Sequence, residues 1–323
     1  MRVKRFLCVS FFLLLAQACF CWGFFGHRKI NYYAVFLLPP EMMVMYKPQI
    51  DFLVEHAVDP DKRRYAMTQE GPRHFIDIDH YGKYPFHELP HKWKEAVNRY
   101  SEDSLNAYGI GPWWIPVMMQ RLTNAFKEKD QSKILKLAAE TGHYIADLHV
   151  PLHVCSNHNG QLTNQKGIHA FWESRIPELL ADKEWDFFIG KAAYLKDPGA
   201  FIWHRVLESA AAADTVLQYE KQLSRVFPSD RKFSFEDRNG IVIRQYSSAY
   251  SRKYNELLNG MVERRMRQAI YAVASCWYTA WVNAGQPDLA RLTNKDFNKD
   301  DQKEFEELNA AWLNASPGDR EDE

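Results

Sequence analysis

Two histidine–carboxylate pairs at helical spacing are the strongest chemical signal in the sequence. His143 and Asp147 lie four positions apart, and His169 and Glu173 repeat that separation further along the chain. Side chains at positions i and i+4 lie above one another on a helix, so both members of each pair can reach one ion. His153, which follows the first pair, adds another donor. One such pair is usually a surface ion pair, but two pairs with an additional histidine indicate a metal site.

His149 is not included among the predicted ligands. It lies four positions before His153, but Pro151 stands between them and disfavours one continuous helical face. No glutamate follows His149, so the segment lacks the HExxH motif of metalloproteases. We therefore predict a structural or supporting role for His149, and a ligand role for His153 from an extended segment after the helix ends.

Further candidate ligands lie upstream of these pairs. Segment 73–80 alternates polar and apolar residues in part, which predicts a short extended run that presents His74, with Asp79 as a second candidate. The first predicted helix ends with two acids, Asp59 and Asp61, and three basic residues. Taken alone, that cluster is equally consistent with a solvated helix end.

Length and composition describe a globular protein with a large core. The chain has 323 residues, 46% of them hydrophobic, and its 41 Lys and Arg balance 41 Asp and Glu. Zero net charge excludes bulk cationic attraction as a reason to bind nucleic acid or anionic lipid.

Residues 1–21 have the pattern of a signal peptide. A basic start leads into an apolar run that is too short to span a bilayer. No later stretch approaches 18 uninterrupted apolar residues, so we expect a secreted or periplasmic mature protein without a transmembrane segment. Cleavage can occur before Cys19 or before Trp22, and the latter exposes the amine of Trp22. After cleavage before Trp22, the mature chain keeps two cysteines, Cys155 and Cys276, and can form at most one disulfide.

The elements that must position these side chains are predicted to be helices. Apolar residues recur at spacings of three and four in segments 41–58, 115–129, 132–149, 168–180, 201–227 and 246–284. Stretches 79–90, 107–116 and 156–167 contain Pro or Gly and are predicted loops. The sequence thus predicts one all-α, multi-helix domain over residues 22–293, followed by an acidic C-terminal helix and tail over residues 294–323.

The ordered motifs resemble a known enzyme family. The residues that carry the resemblance are, in chain order, Trp22 with His27, Asp59, His74-Phe75-x-Asp77, His143-xxx-Asp147, His153 and His169-xxx-Glu173. This pattern is similar to the zinc-dependent phospholipase C superfamily, which includes the single-strand-specific nucleases of the mung-bean type. The resemblance spans Trp22 to Glu173 and implies an all-α fold with a three-zinc cleft.

The resemblance implies a ligand set for each zinc ion. One zinc would be held by Asp59, His74, His143 and Asp147; a second by His153, His169 and Glu173; and a third by His27 with the amine and carbonyl of Trp22. Asp147 would bridge the first and third ions. Because only cleavage before Trp22 supplies a free amine, the resemblance favours that position.

The implied reaction is hydrolysis of a phosphodiester by a zinc-activated hydroxide. Two zinc ions about 3.5–4 Å apart can share a water, lower its pKa and hold the hydroxide in line with phosphorus. The carboxylate of Asp59 would orient or deprotonate that water. Asp61 is the alternative if the register differs by two positions.

The resemblance leaves a phospholipid head group and single-stranded nucleic acid as alternative substrates. Glu173 as the last ligand and the absence of an evident basic groove favour the phospholipase C branch, since the nuclease branch typically has Asp there. The separation of five between Trp22 and His27 matches the nuclease branch. Phe75 occupies the place of a base-stacking aromatic in those nucleases, although a core aromatic would fit the pattern equally well.

A catalytically silent metal-binding protein is the alternative from another functional class. Structural zinc sites favour cysteine ligands and four protein donors. The second predicted set here has three protein ligands and no cysteine, which leaves a position for water and favours catalysis. No protein partner is implied by the sequence.

Overall fold

The computed structural model describes residues 23–238, 240–292, 297 and 299–314. The predicted signal peptide, both predicted cleavage positions, Trp22 and the last residues of the tail lie outside them. The described residues are mostly helical and contain one two-stranded antiparallel hairpin, so the prediction of an all-α class is confirmed. None of the helices described combines the length and the apolar character needed to cross a bilayer.

The helices pack around one hydrophobic core. In chain order they are α1 (Phe24–Val35), α2 (Pro40–Tyr46), α3 (Ile50–Glu55), α4 (Asp59–Arg64), α5 (Trp93–Tyr100), α6 (Glu102–Ala107), α7 (Gly111–Glu128), α8 (Gln131–Asp147), α9 (Ile168–Ala170), α10 (Ile176–Glu184), α11 (Pro198–Val226), α12 (Ser248–Leu257), α13 (Met261–Asn283) and α14 (Lys299–Asn314). The hairpin strands are β1 (Phe233–Arg238) and β2 (Ile241–Tyr246).

Three predicted boundaries differ from the structure for local reasons. The predicted helix 246–284 breaks between α12 and α13, where Asn259 and Gly260 have φ of 49° and 69° and cannot continue a right-handed helix. The predicted helix 41–58 divides into α2, α3 and a 3-10 turn, His56–Val58. The predicted loop 107–116 ends early because a proline near the start of α7 favours a helix there.

The β hairpin was not predicted from the sequence. Phe233 pairs with Tyr246, and Arg238 pairs with Ile241. Each strand is six residues long and mixes charged with apolar side chains, so the period-two pattern is too short and irregular to identify a strand.

Helix α8 is central to the fold, and α1 packs closely against it. A Cβ atom on Gly142 would lie 2.0 Å from Oδ1 of Asn31, so only glycine permits this approach. The Asn31 amide nitrogen donates to the carbonyls of Leu53 and Ala139, each at 3.1 Å. These contacts fix α1, which carries His27, against the end of α8.

The predicted extended run around His74 is held by backbone hydrogen bonds on two sides. The amide of Ile76 donates to the carbonyl of His153 at 2.9 Å, and the amide of Gly111 donates to the carbonyl of Phe75 at 3.0 Å. The run lies between 3-10 turns at Gly71–Arg73 and Ile78–Tyr81. It places His74 beside the end of α8.

Helix α14 falls within the predicted C-terminal segment and packs against the first third of the chain. The ring of Phe305 lies 4.0 Å from that of His56, and the ring of Trp312 lies 5.3 Å from that of Phe24.

The two cysteines among the described residues, at positions 155 and 276, are both free thiols.

Candidate metal centre

Eight histidine and carboxylate side chains from separate parts of the chain converge in one buried cluster. Helix α1 supplies His27, α4 supplies Asp61 and the extended run supplies His74. Helix α8 supplies His143 and Asp147, and the turn after it supplies His153. His169 comes from α9, and Glu173 comes from the π-helical turn that follows, Phe171–Arg175. All are buried except His153, which is half-buried. Seven of them were predicted as ligands, and Asp61 was the alternative to Asp59.

The cluster contains three groups that can each hold a metal ion. They are His27, Asp61 and His143; His74, His143 and Asp147; and His153, His169 and Glu173. In each group one ligand atom from every residue lies within 4.8 Å of the others. This separation allows a single ion to contact all three donors at zinc–ligand distances of about 2 Å.

Asp147 lies among all three groups. Its Oδ2 is 3.0 Å from Nδ1 of His74 and 3.3 Å from Nε2 of His143. Its Oδ1 is 3.2 Å from Nε2 of His27 and 3.9 Å from Nε2 of His153. The two oxygens therefore face different sets of histidines, which is the arrangement that a bridging carboxylate requires.

Backbone carbonyls fix the tautomer of three cluster histidines. The Nδ1 atoms donate to carbonyl oxygens: His143 to Ala57 at 2.9 Å, His153 to His74 at 2.9 Å, and His169 to His158 at 3.1 Å. Because a carbonyl can only accept, each Nδ1 carries a hydrogen, and in the neutral ring the Nε2 lone pair is then free to bind a cation.

These free nitrogens face one another. Nε2 of His153 lies 3.2 Å from Nε2 of His169, and Nε2 of His143 lies 3.0 Å from Nδ1 of His74. Two nitrogen lone pairs at that distance repel each other unless a proton or a metal cation shares them. The geometry therefore fits a site whose histidines converge on cations.

Nearby charges keep the cluster carboxylates ionised. Burial alone would raise the pKa of Asp147, but His143 and His153 hold that pKa well below its usual range. Burial opposes ionisation of Glu173 as well, yet His169 and His153 lower its pKa to about 2. Conversely, burial would lower the pKa of His153, but Asp147 and Glu173 raise it to about 9. Protons and a metal cation thus compete for the same nitrogen, as expected of a metal site.

Asp59, predicted as both ligand and catalytic carboxylate, faces away from the cluster. Its Oδ2 lies 2.5 Å from Nδ1 of His56, and its Oδ1 lies 3.1 Å from Nζ of Lys62. Asp61 instead has Oδ1 3.4 Å from Nε2 of His143 and 3.6 Å from Nδ1 of His74. Both acids are on α4, where side chains two positions apart point to nearly opposite sides. The structure therefore places the alternative residue, Asp61, where Asp59 was predicted to lie.

The remaining predicted residues have different positions. Ligation by Trp22 lies outside the described residues, which begin at Gly23. Phe75 is half-buried next to His74, and its ring lies against Gly109. Asp79 is not part of the cluster, because its carboxylate accepts hydrogen bonds from the amide and hydroxyl of Ser156.

A second buried charge network lies beside His74 and was missed from the sequence. Its members are Arg63, Glu70, Arg73, Glu140 and Tyr144. Glu70 is fully buried, and Arg63 pairs with both glutamates. The available signal was the spacing of Glu70 and His74, which are also four positions apart, with the acid preceding the histidine.

His149 and His153 provide a test of the ligand assignment. His149 is fully buried, burial holds its pKa well below the usual range, and its Nδ1 lies 2.7 Å from the carbonyl of Ile145. We expect His153→Gln to lower zinc content, measured by atomic absorption, whereas His149→Gln lowers the melting temperature and leaves zinc content unchanged. Equal loss of zinc in both variants would contradict this assignment.

Comparison of the sequence with protein-family models and with curated proteins finds no match.

The cluster itself offers imidazole nitrogen and carboxylate oxygen donors, a combination that suits zinc. The group formed by His153, His169 and Glu173 has three protein ligands. In zinc proteins this number leaves a coordination position for water or substrate.

Proposed function

We propose that this protein is an exported, zinc-dependent phosphodiester hydrolase of the phospholipase C type. The observation that carries the proposal is the convergence of inward-facing histidine nitrogens and ionised carboxylates in one buried cluster. In particular, Nε2 of His153 and Nε2 of His169 face each other at 3.2 Å, and their Nδ1 atoms are committed to backbone carbonyls. Export after removal of residues 1–21 belongs to the same proposal.

We propose three metal positions. His74, His143 and Asp147, with Asp61 nearby, would hold one zinc; His153, His169 and Glu173 a second; and His27, with the amine of Trp22, a third. Bound zinc would supply Lewis acidity at the phosphoryl oxygens and a water of lowered pKa for attack on phosphorus.

The protein side chains would orient the metals and the substrate. Asp147 presents one oxygen to His27 and the other to His74, and it would help to hold the ions bound by these two histidines. The backbone carbonyls hold the imidazole rings in place and leave nitrogen lone pairs directed inward. Asp61, whose pKa stays low beside His143 despite burial, is the carboxylate that would orient or deprotonate the attacking water.

We propose a phospholipid head group as the substrate. One support is Glu173, because glutamate rather than aspartate is typical of the phospholipase C branch at the last ligand position. The other is the zero net charge of the chain. Single-stranded nucleic acid is the second candidate because Phe75, an aromatic residue of the type that stacks on bases, lies beside His74 and is only half-buried.

The test is parallel hydrolysis of phosphatidylcholine, other phospholipids and single-stranded DNA and RNA by the purified mature chain. We expect phosphate-ester cleavage of lipid in the presence of zinc and its loss after chelation. The matched control is His153→Gln, which should be inactive on every substrate. Cleavage of nucleic acid with no lipid turnover would contradict a phospholipid substrate and favour a nuclease.

Zinc content separates these activities from the catalytically silent alternative. We expect bound zinc together with turnover of bis-p-nitrophenyl phosphate, a simple diester. A wild-type chain that holds zinc but hydrolyses no diester would favour a metal-binding protein without catalysis. A chain that holds no zinc would contradict the proposed function altogether.

A further inference from the structure

His74 differs from His143, His153 and His169 in the partner of its outer nitrogen. Its Nδ1 faces the cluster, 3.0 Å from both Nε2 of His143 and Oδ2 of Asp147. Its Nε2 is buried and has no hydrogen-bond partner among the described residues. The nearby charged group is the carboxylate of Glu70, whose Oε1 lies 3.7 Å from Nε2. His143, His153 and His169 instead direct their outer nitrogens at backbone carbonyls.

Glu70 is held in place by several donors. Its side chain is fully buried, and its Oε2 accepts a hydrogen bond from Nη1 of Arg73 at 2.5 Å. Its Oε1 accepts a hydrogen bond from the hydroxyl of Tyr144, and Nη1 of Arg63 lies 3.5 Å away. A buried carboxylate between two guanidinium groups stays ionised and has little freedom to turn.

We propose that Glu70 is a positioning residue for His74. Its negative charge favours a hydrogen on Nε2, which leaves the lone pair on Nδ1 directed into the cluster. A carboxylate behind a ligand histidine also fixes the plane of the ring and increases the basicity of the inner nitrogen. Glu70 thus does for His74 what backbone carbonyls do for His143, His153 and His169. This inference rests on the metal site of the proposed function.

Glu140 provides a matched control within the same network. It is also buried, at 7% exposure, and bonds Nη2 of Arg63, whereas Glu70 faces Nη1 of the same side chain. Replacement of either glutamate by glutamine removes one buried charge beside Arg63. Among the contacts described, only Glu70 also lies against His74. A purely structural role would therefore affect both variants alike.

The experiment compares metal binding by the wild-type chain, Glu70→Gln and Glu140→Gln. Zinc affinity is measured by competition with a chromogenic chelator, and the ligand field is measured by absorption of the cobalt-substituted protein. We expect Glu70→Gln to weaken one metal site by about 10–100-fold, the usual cost of losing an outer partner of a metal-bound histidine, and to shift the cobalt bands. We expect wild-type affinity and bands for Glu140→Gln.

Tyr144→Phe is a second variant that keeps the charge of Glu70. It removes one hydrogen bond to the carboxylate while retaining the ring, and it should weaken the same metal site to a smaller extent. If Glu70→Gln does not fold, wild-type affinity in Tyr144→Phe overturns the inference.

The outcomes distinguish the inference from the proposed function. Equal zinc affinity in the two glutamine variants would overturn the role of Glu70 and leave the proposed hydrolase intact. Zinc binding without hydrolysis by the wild-type chain would overturn the hydrolase while the affinity difference still supports Glu70. A wild-type chain that binds no zinc overturns both.

Discussion

Asp147→Asn should abolish hydrolysis and lower the occupancy of two metal positions at once. The two oxygens of this carboxylate face four histidines, more than any other carboxylate among the described residues faces, so its replacement removes a negative charge next to all four. We expect activity to fall by about a hundredfold or more, since even the outer partners of metal ligands contribute 10–100-fold. Zinc content per chain, measured alongside turnover of a simple diester, checks the result.

Asp79→Asn is the matched control for this variant. Asp79 is an exposed carboxylate whose contacts are to Ser156, outside the cluster. It should retain full zinc content and activity. Loss of only one ion in Asp147→Asn would contradict the bridging role, and unchanged zinc content would contradict ligation by Asp147 itself.

Asp61→Asn and Asp59→Asn should differ sharply although the residues are two positions apart. Asp61 faces His143 and His74, so its replacement should lower both zinc affinity and activity. Asp59 pairs with His56 and Lys62, and removal of one partner from a buried ion pair typically costs about 3 kcal/mol of unfolding free energy. Chelator competition and urea unfolding of both variants measure the two effects separately.

The comparison of these two variants tests the register of α4. Retained zinc with lowered stability in Asp59→Asn, together with zinc loss in Asp61→Asn, is the expected pattern. The reverse pattern would restore Asp59 as the ligand and would mean that α4 is rotated relative to the structure described here.

The i, i+4 pairs were predictable because both partners belong to one local segment. His143 and Asp147 lie on α8, whereas His169 lies on α9 and Glu173 on the π-helical turn that continues it. Helical geometry alone puts such side chains on one face, whatever the remainder of the chain does. The prediction that His153 follows the end of the helix is confirmed, but the residue lies in a 3-10 turn, Pro151–Val154, and not in the predicted extended segment.

The choice between Asp59 and Asp61 required the tertiary structure. Both acids have the same chemistry and lie on the same short helix, so the sequence pattern fits either. Packing of α4 between α8 and α14 decides which side of that helix faces the histidines. The role of Glu70 depended on packing in the same way, since Arg63 and Tyr144 reach it from distant positions in the chain.

The sequence by itself determined the helical class of the described residues, the local histidine–carboxylate pairs and the residue types available for chemistry. These properties depend on periodicity and on neighbours within about one or two helical turns. Only the tertiary structure decided that Asp147 faces four histidines, that backbone carbonyls fix three imidazole tautomers and that Asp61 replaces Asp59 in the cluster. Those facts depend on contacts between segments far apart in sequence, and such contacts arise only when the helices pack into a common core.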